Sequence, residues 1–283
     1  MKICLLGITG IPLGKHNVKD ARLDQAHQLV EAKKKTCVQV DVAGEKEAVV
    51  ADALIVSPSS RLEVILRDLE FVETRLERNP PEPEKSVLGK IKAALENERF
   101  VSAAGLTPAE LQTVAAHAFL TSKPVIVATA FDLEKFDEFL GRVLNESGYI
   151  SFLTVGGPEN RAWLIKQGMT APEAAGAIHT DIRKGFIRAE IISFADFVAA
   201  GGETQAKRAN KLRLETKHYV IQDYDVVNFR FNKSGRFRGR SDQVAPPARR
   251  SGKSESRPSS VAGQMPRSVT TPANRRAGVT SNP

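Results

Sequence analysis

Cysteine is nearly absent from this chain. Cys4 and Cys37 stand far apart with no C-x-x-C spacing, which excludes a disulfide framework and a cysteine-built zinc site and suits a reducing compartment. Long apolar runs are also missing. The longest, around Val125 to Phe131, is about seven residues, against the roughly 20 a helix needs to cross a bilayer, so neither a membrane span nor a membrane partner is expected. The opening MKICLLGITG holds one Lys and a short apolar run broken by Gly, too brief and too poorly flanked for a secretory signal. A buried first strand and a cytoplasmic location follow. No internal repeat is visible.

Net charge is missing from most of the chain as well. The formal charge is +8, yet 11 of the 41 Lys and Arg and only 2 of the 33 acids fall after Asn232, leaving 30 basic and 31 acidic residues before it. The excess positive charge therefore lies in residues 233–283, rich in Ser, Pro, Gly and Arg with Phe237 the one aromatic. Such a composition buries too little apolar surface to offset chain entropy, and a disordered tail is predicted.

What is present reads as α/β. KICLLG (2–7) predicts a buried strand entering a Gly-rich turn, GITGIPLGK, that ends at Lys15. A short surface helix is expected over Asp24 to Lys33, a strand over TCVQVDVAG (36–44), and a third strand in ADALIVSP ending at Pro58. From Arg61 to Arg78 the residues Leu62, Ile65, Leu66, Leu69, Val72 and Leu76 recur at helical spacing, with Glu63 and Arg67 as an i,i+4 pair. NPPEPE stops this helix, and Val87, Leu88, Ile91, Ala94 and Leu95 restart the period to about Glu98, giving an antiparallel hairpin. Thr107, Pro108 and Glu110 read as the capped start of a shorter helix. KPVIVATAF (123–131) predicts a buried strand and Leu133 to Asn145 a helix. After Gly148 come strands at 149–155 and within 218–232, with short helices at Pro172 to Ile178 and Phe194 to Ala199.

Residues 148–232 are specific enough for a family comparison. ENRAWLIKQGMTAPEAAGAIHTDIRKGFIRAEIISFADFVAAGGE and KLRLETKHYVIQDYDVVNFRFN closely resemble the TGS domain at the C-terminus of the Obg-like ATPases, the YchF family. Its signatures stand as Arg161-Ala162-Trp163, His179-Thr180-Asp181 and the run from Gly185 to Glu190. The resemblance implies a β-grasp fold, found in proteins that act on tRNA, ribosomes and stringent signalling. Tyr224 departs from it: the family has Gly there, between two acids, and one altered turn is expected. The first half is similar to the same family in VKDARLD, TCVQVDVAG and LEVILRDLEFVETRLER, in the same order. The helix after the phosphate loop and most of the segment between Gly44 and Asp52 are missing, and the hairpin is shortened. The predicted architecture is a contracted, P-loop-like parallel sheet over 1–147 with a helical hairpin at about 61–98, then a TGS-like α+β domain over 148–232 and the tail over 233–283.

A phosphate loop works because backbone N–H groups of G-x-x-x-x-G-K-[ST] cradle phosphates at a helix N-terminus while Ser/Thr holds Mg²⁺. Here Gly10, Gly14 and Lys15 remain, Thr9 stands where the first Gly belongs, and His16 replaces the hydroxyl. Asp41 and Gly44 keep the D-x-x-G spacing, whose other reading is a strand-end Asp before a turn Gly. Where the family resemblance places the Asn that reads the base, this chain has Ala130, and a methyl group cannot replace an amide's donor and acceptor. These positions read as a vestigial nucleotide site with no catalytic residue and no metal ligand set. His179 and Asp181 could form an acid/base pair, but no nucleophile accompanies them, so they are assigned with Arg161 and Arg188 to recognition. Arg183 and Lys184 could extend a basic face. In the tail, Arg236, Phe237, Arg238 and Arg240 combine phosphate-pairing cations with a base-stacking ring and are the expected RNA contacts.

Three functions stay open. The first is a non-hydrolysing adaptor that engages ribosome, RNA or a translation factor. The second is the ATPase that the family resemblance implies, with ATP, or GTP, and Mg²⁺. The third is a protein-interaction module without nucleic acid. No cofactor is expected unless the family's activity is retained.

Overall fold

The computed structural model describes residues 1–232; the tail expectations, Arg236, Phe237, Arg238 and Arg240 among them, lie outside the described residues. The first apolar run forms β1 (Lys2–Leu6) at the centre of a five-stranded sheet. The other strands are β2 (Gly14–Asn17), β4 (Gln39–Ala43), β5 (Ala53–Val56) and β6 (Val125–Val127), in the order β2-β4-β1-β5-β6. β4, β1, β5 and β6 run parallel, and β2 is antiparallel to β4. The predicted parallel sheet is thus present with one reversed edge strand. β5 is buried throughout, as a central parallel strand covered on both faces must be.

The predicted strand over 36–44 is two strands in two sheets. β3 (Lys34–Thr36) pairs in parallel with β8 (Glu159–Lys166), while β4 pairs with β1. The alternation lies in Val38, Val40 and Val42, while Lys34–Thr36 carries none, and nothing in that short polar piece points to a second sheet. β3 is the edge of a six-stranded mixed sheet completed by β7 (Tyr149–Thr154), β9 (Phe186–Ile192), β10 (Arg213–Glu215) and β11 (Val226–Phe231), in the order β10-β9-β11-β7-β8-β3.

The helices follow the sequence with corrections of detail. α1 spans Ala21–Leu29, earlier than expected, because Asp20 caps it by accepting from the Arg22 N–H. α2 (Ser60–Glu77) and α3 (Glu84–Glu96) form the predicted hairpin around Ile65, Val72, Leu88, Ile91 and Leu95. Leu62 and Leu66 are exposed, at 46% and 53%; their places are taken by Val64 and by Asp68, which accepts from the Leu120 and Thr121 N–H groups at 3.0 and 2.8 Å. Arg67 bonds Glu45 at 2.8 Å rather than Glu63. α4 (Pro108–Val114) has the predicted Thr107–Glu110 capping box. The strand expected to reach Phe131 stops at Val127, since Thr129 and Asp132 cap α5 (Ala130–Glu134), and the single helix expected next is α5 followed by α6 (Phe136–Glu146).

α7 (Ala171–Ile178), α8 (Thr180–Lys184), α9 (Phe194–Ala200) and α10 (Glu203–Arg208) surround the second sheet. The largest buried cluster runs from Ile3, Val40 and Ile55 through Leu140 and Leu144 of α6 to Leu153, Ala162, Ile192 and Val226. Residues on both sides of Gly148 therefore share one core. Among the described residues no helix is long and apolar enough to cross a membrane.

Candidate functional site

In a parallel sheet, ligands gather at the carboxyl ends of the strands. Here those ends are Gly7 after β1, Gly44 after β4, Ser57 after β5 and Ala128 after β6. Gly7 has φ +64°, and a Cβ there would stand 1.9 Å from the Ser60 Oγ in the first turn of α2. Ser57 Oγ donates to Ser60 Oγ at 3.0 Å and contacts Ser59 Oγ at 2.9 Å. Serine hydroxyls bonded to one another thus fill the end of β1. Gly10 (φ +85°) and Gly14 (φ +113°) have open space where a Cβ would be, so backbone conformation is what they supply.

After Gly14 the chain enters β2 instead of a helix. Lys15 lies opposite Asp41 and His16 opposite Val40 in the β2–β4 ladder. The structure thus brings Lys15 and Asp41 together as exposed cross-strand neighbours, with Gly44 just beyond the end of β4. Asp41 lies 3.8 Å from the Lys2 Nζ. His16 folds back: its Nε2 lies 2.7 Å from the Pro12 carbonyl oxygen, and its ring meets Phe136 edge-on at 5.3 Å. His16, Pro12, Lys19, Lys135, Phe136 and Asp137 line a cavity of about 330 Å³ beside the loop. Ala130 is exposed in the first turn of α5.

The recognition residues of the second sheet do not form one cluster. His179 caps α8, its Nδ1 accepting from the Asp181 N–H at 3.1 Å, and the two side chains are 63% and 76% exposed. This is helix-end chemistry, with neither group held against a third partner. Arg161 stacks on Trp163 at 3.9 Å, on the sheet face covered by α7. Arg188 is exposed on the opposite face, directly across from Arg230.

A cluster the sequence did not disclose joins α1 to the turn before β11. Arg22 Nη1 donates to Asp223 at 2.6 Å, Arg22 Nη2 donates to Asp20 at 2.8 Å, and the guanidinium lies 3.5 Å from the Tyr224 ring centroid. Burial opposes a charged Asp20, but bonds from Arg22 and Tyr224 outweigh it and hold the carboxyl below its usual range. Burial, then Asp20, push the Tyr224 hydroxyl up. Arg22, Asp20, Asp223 and Tyr224 border a cavity of about 240 Å³ between α6 and the second sheet. VKDARLD and the family departure at Tyr224 were its two available signals, far apart in sequence, Arg22 and Asp223 being separated by 201 positions.

A family model for the C-terminal YchF GTPase region, described as a protein of unknown function (DUF933), matches residues 149–232, the span from β7 to β11. The ribosome-binding ATPase YchF of Haemophilus ducreyi is 32% identical over 256 residues, covering 66% of this chain and 70% of that protein. The chain belongs to the YchF family. The ribosome-binding ATPase YchF of Haemophilus influenzae is 33% identical over 232 residues, covering 60% of this chain and 64% of that protein. The chain thus spans just under two thirds of the length of this YchF relative. The structure of the Schizosaccharomyces pombe YchF GTPase matches with a TM-score of 0.63 at 19% identity, over 76% of this chain and 86% of that one, a likeness of fold.

The names of these YchF relatives imply a nucleotide, with which the family resemblance of the sequence associates Mg²⁺. The loop residues do not fit that group: Lys15 lies within β2 and the next helix starts only at Ala21, and the His16 ring is engaged with Pro12 and Phe136. Among the described residues no group of three or more His, Cys, Asp or Glu side chains is placed to hold a metal ion.

Proposed function

We propose that this chain is a cytoplasmic ribosome-binding member of the YchF family that does not hydrolyse nucleotide. The ribosome enters through the relatives, which are named ribosome-binding ATPases. The loss of hydrolysis rests on one observation: Gly14–Asn17 is a strand laddered to β4, where a phosphate loop needs the start of a helix. The second sheet with its α7 cover serves as the TGS-like recognition domain, presenting Arg161, His179, Asp181 and Arg188, and the basic segment with Arg236, Phe237, Arg238 and Arg240 adds sequence-tolerant phosphate contacts.

A second reading, nucleotide hydrolysis, is favoured by the relatives' names, which carry ATPase and GTPase. It requires a phosphate site built without the Gly10, Gly14 and Lys15 cradle.

Sedimentation of the full chain with ribosomes through a sucrose cushion tests the proposal. Co-sedimentation without added nucleotide, unchanged by ATP, is expected and should weaken steeply with salt, at a log–log slope of about −3 to −4 against single-stranded RNA for 4 to 6 neutralised phosphates. Binding only with ATP would favour the second reading; no ribosome binding would contradict both.

A further inference from the structure

The distal half of the second sheet carries an arrangement the fold does not need. In the β9–β11 ladder Arg188 stands directly opposite Arg230, and Glu190 opposite Asn228. Side chains so paired on one face lie about 5 Å apart, and like charges there repel. Glu190 is nearly buried and fully engaged: it accepts from the Arg230 Nε at 2.8 Å and from the Asn228 Nδ2 at 2.9 Å. Its charge is spent on Arg230. Arg188 has no ion pair or side-chain hydrogen bond among the described residues, and it is exposed on the face away from α7. The one carboxylate beside two facing guanidinium groups thus pairs with Arg230 alone, and the Arg188 charge points to solvent.

We propose that Arg188 and Arg230 together bridge one phosphate of ribosomal RNA, with Arg188 as the deciding contact. The inference rests on the ribosome-binding reading and names its contact point. Arg188, unengaged, can donate bidentately to a phosphate, while Arg230, whose Nε and Nη2 are held by Glu190, can add a bond from Nη1, and the bound anion removes the repulsion between the two. Continuity of charge supports RNA as the occupant. β11 ends at Phe231, the Asn232 N–H bonds back to the Gly185 carbonyl at 2.9 Å, and the RFRGR stretch begins only four residues later in sequence. The Arg pair and the most basic segment of the chain are therefore adjacent along the polypeptide.

The test is fluorescence anisotropy of the full chain with a labelled single-stranded RNA of about 16 nucleotides, on wild type, Arg188→Lys and Arg188→Glu, beside ribosome sedimentation of wild type. Arg188→Glu places an acid opposite Arg230, so its Tm should stay within about 2 °C of wild type or rise. Its RNA affinity should fall about 5- to 20-fold, with the log–log salt slope shallower by about 0.7 to 1.4. Arg188→Lys should bind within about threefold of wild type, keeping the charge and losing the fork. Unchanged RNA binding by Arg188→Glu while wild type binds ribosomes would overturn this assignment alone. A Tm loss above about 5 °C would show that Arg188 serves the fold, and tighter binding of polyglutamate than of RNA would assign the pair to an acidic protein; either overturns it. Wild type that binds neither RNA nor ribosomes would remove the underlying reading.

Discussion

Arg22 lies over the Tyr224 ring, its guanidinium carbon 3.5 Å from the ring centroid, while its donors reach Asp20 and Asp223. Tyr224 is 2% exposed and holds φ +62°, a conformation that costs a non-glycine residue roughly 1–2 kcal/mol. The ring's contacts with Arg22 and with Phe194, edge-on at 5.5 Å, offset that cost. Tyr224→Gly should therefore destabilise the protein by about 2–3 kcal/mol although it relieves the backbone, because the lost aromatic leaves a cavity worth more than the strain. Urea denaturation measures this. A variant as stable as wild type would show that the ring holds nothing together.

The same cluster sets a pH dependence. Asp20 titrates below its ordinary value of 3.8 in the folded protein, so its contribution to stability is fully present above 3.8 and is lost as pH falls through the depressed folded value. Asp68 and Asp225 have the opposite sign: burial raises both, and what they contribute is greatest below 3.8 and declines as pH rises toward their folded values. Asp20→Asn should be less stable than wild type near neutral pH, and the gap should shrink as pH drops below about 3.8. Urea midpoints of both proteins across that range check the sign; a gap independent of pH would remove Asp20 from the account.

The Tyr224 turn and the split of residues 34–43 between two sheets mark where sequence reading ran out. The hairpin was legible because Ile65, Val72, Leu88 and Ile91 keep helical spacing and bury the face that spacing predicts. Leu62 and Leu66 obey the same period yet stay exposed, since exposure depends on what packs opposite and periodicity holds no partner. β4 alternates and the short β3, Lys-Lys-Thr, does not; their partners, β1 and β8, are what assign them to different sheets. The end of the Gly-rich loop was legible as an absence, a missing helix after Lys15. That β2 would reverse and ladder onto β4 was not, because GKHN has little strand propensity and pairs through its neighbour. Arg161 and Arg188 read as one basic face but stand on opposite faces of the sheet, a fact set by the pairing register of β8 and β9 with their neighbours.

The close approach at Gly7 gives a sharper test of the end of β1. Gly7→Ala combines a positive φ with a Cβ placed 1.9 Å from the Ser60 Oγ. A loss of about 2–3 kcal/mol is expected, read as a shift in the urea midpoint at constant m-value. A neutral effect would mean that the first turn of α2 can withdraw from β1, leaving room there for a ligand.

The proposal that this YchF-family chain works without nucleotide hydrolysis is tested most directly by titrating full-length protein with ATP and Mg²⁺ in a calorimeter. With Lys15 held on β2 beside Asp41, the His16 ring turned onto Phe136, and Ala130 at the position the family resemblance gives to a base-reading Asn, no binding heat is predicted at about 100 μM nucleotide. A saturable isotherm with a Kd near 10 μM, about −6.8 kcal/mol, would contradict it and establish a phosphate site elsewhere at the ends of the strands.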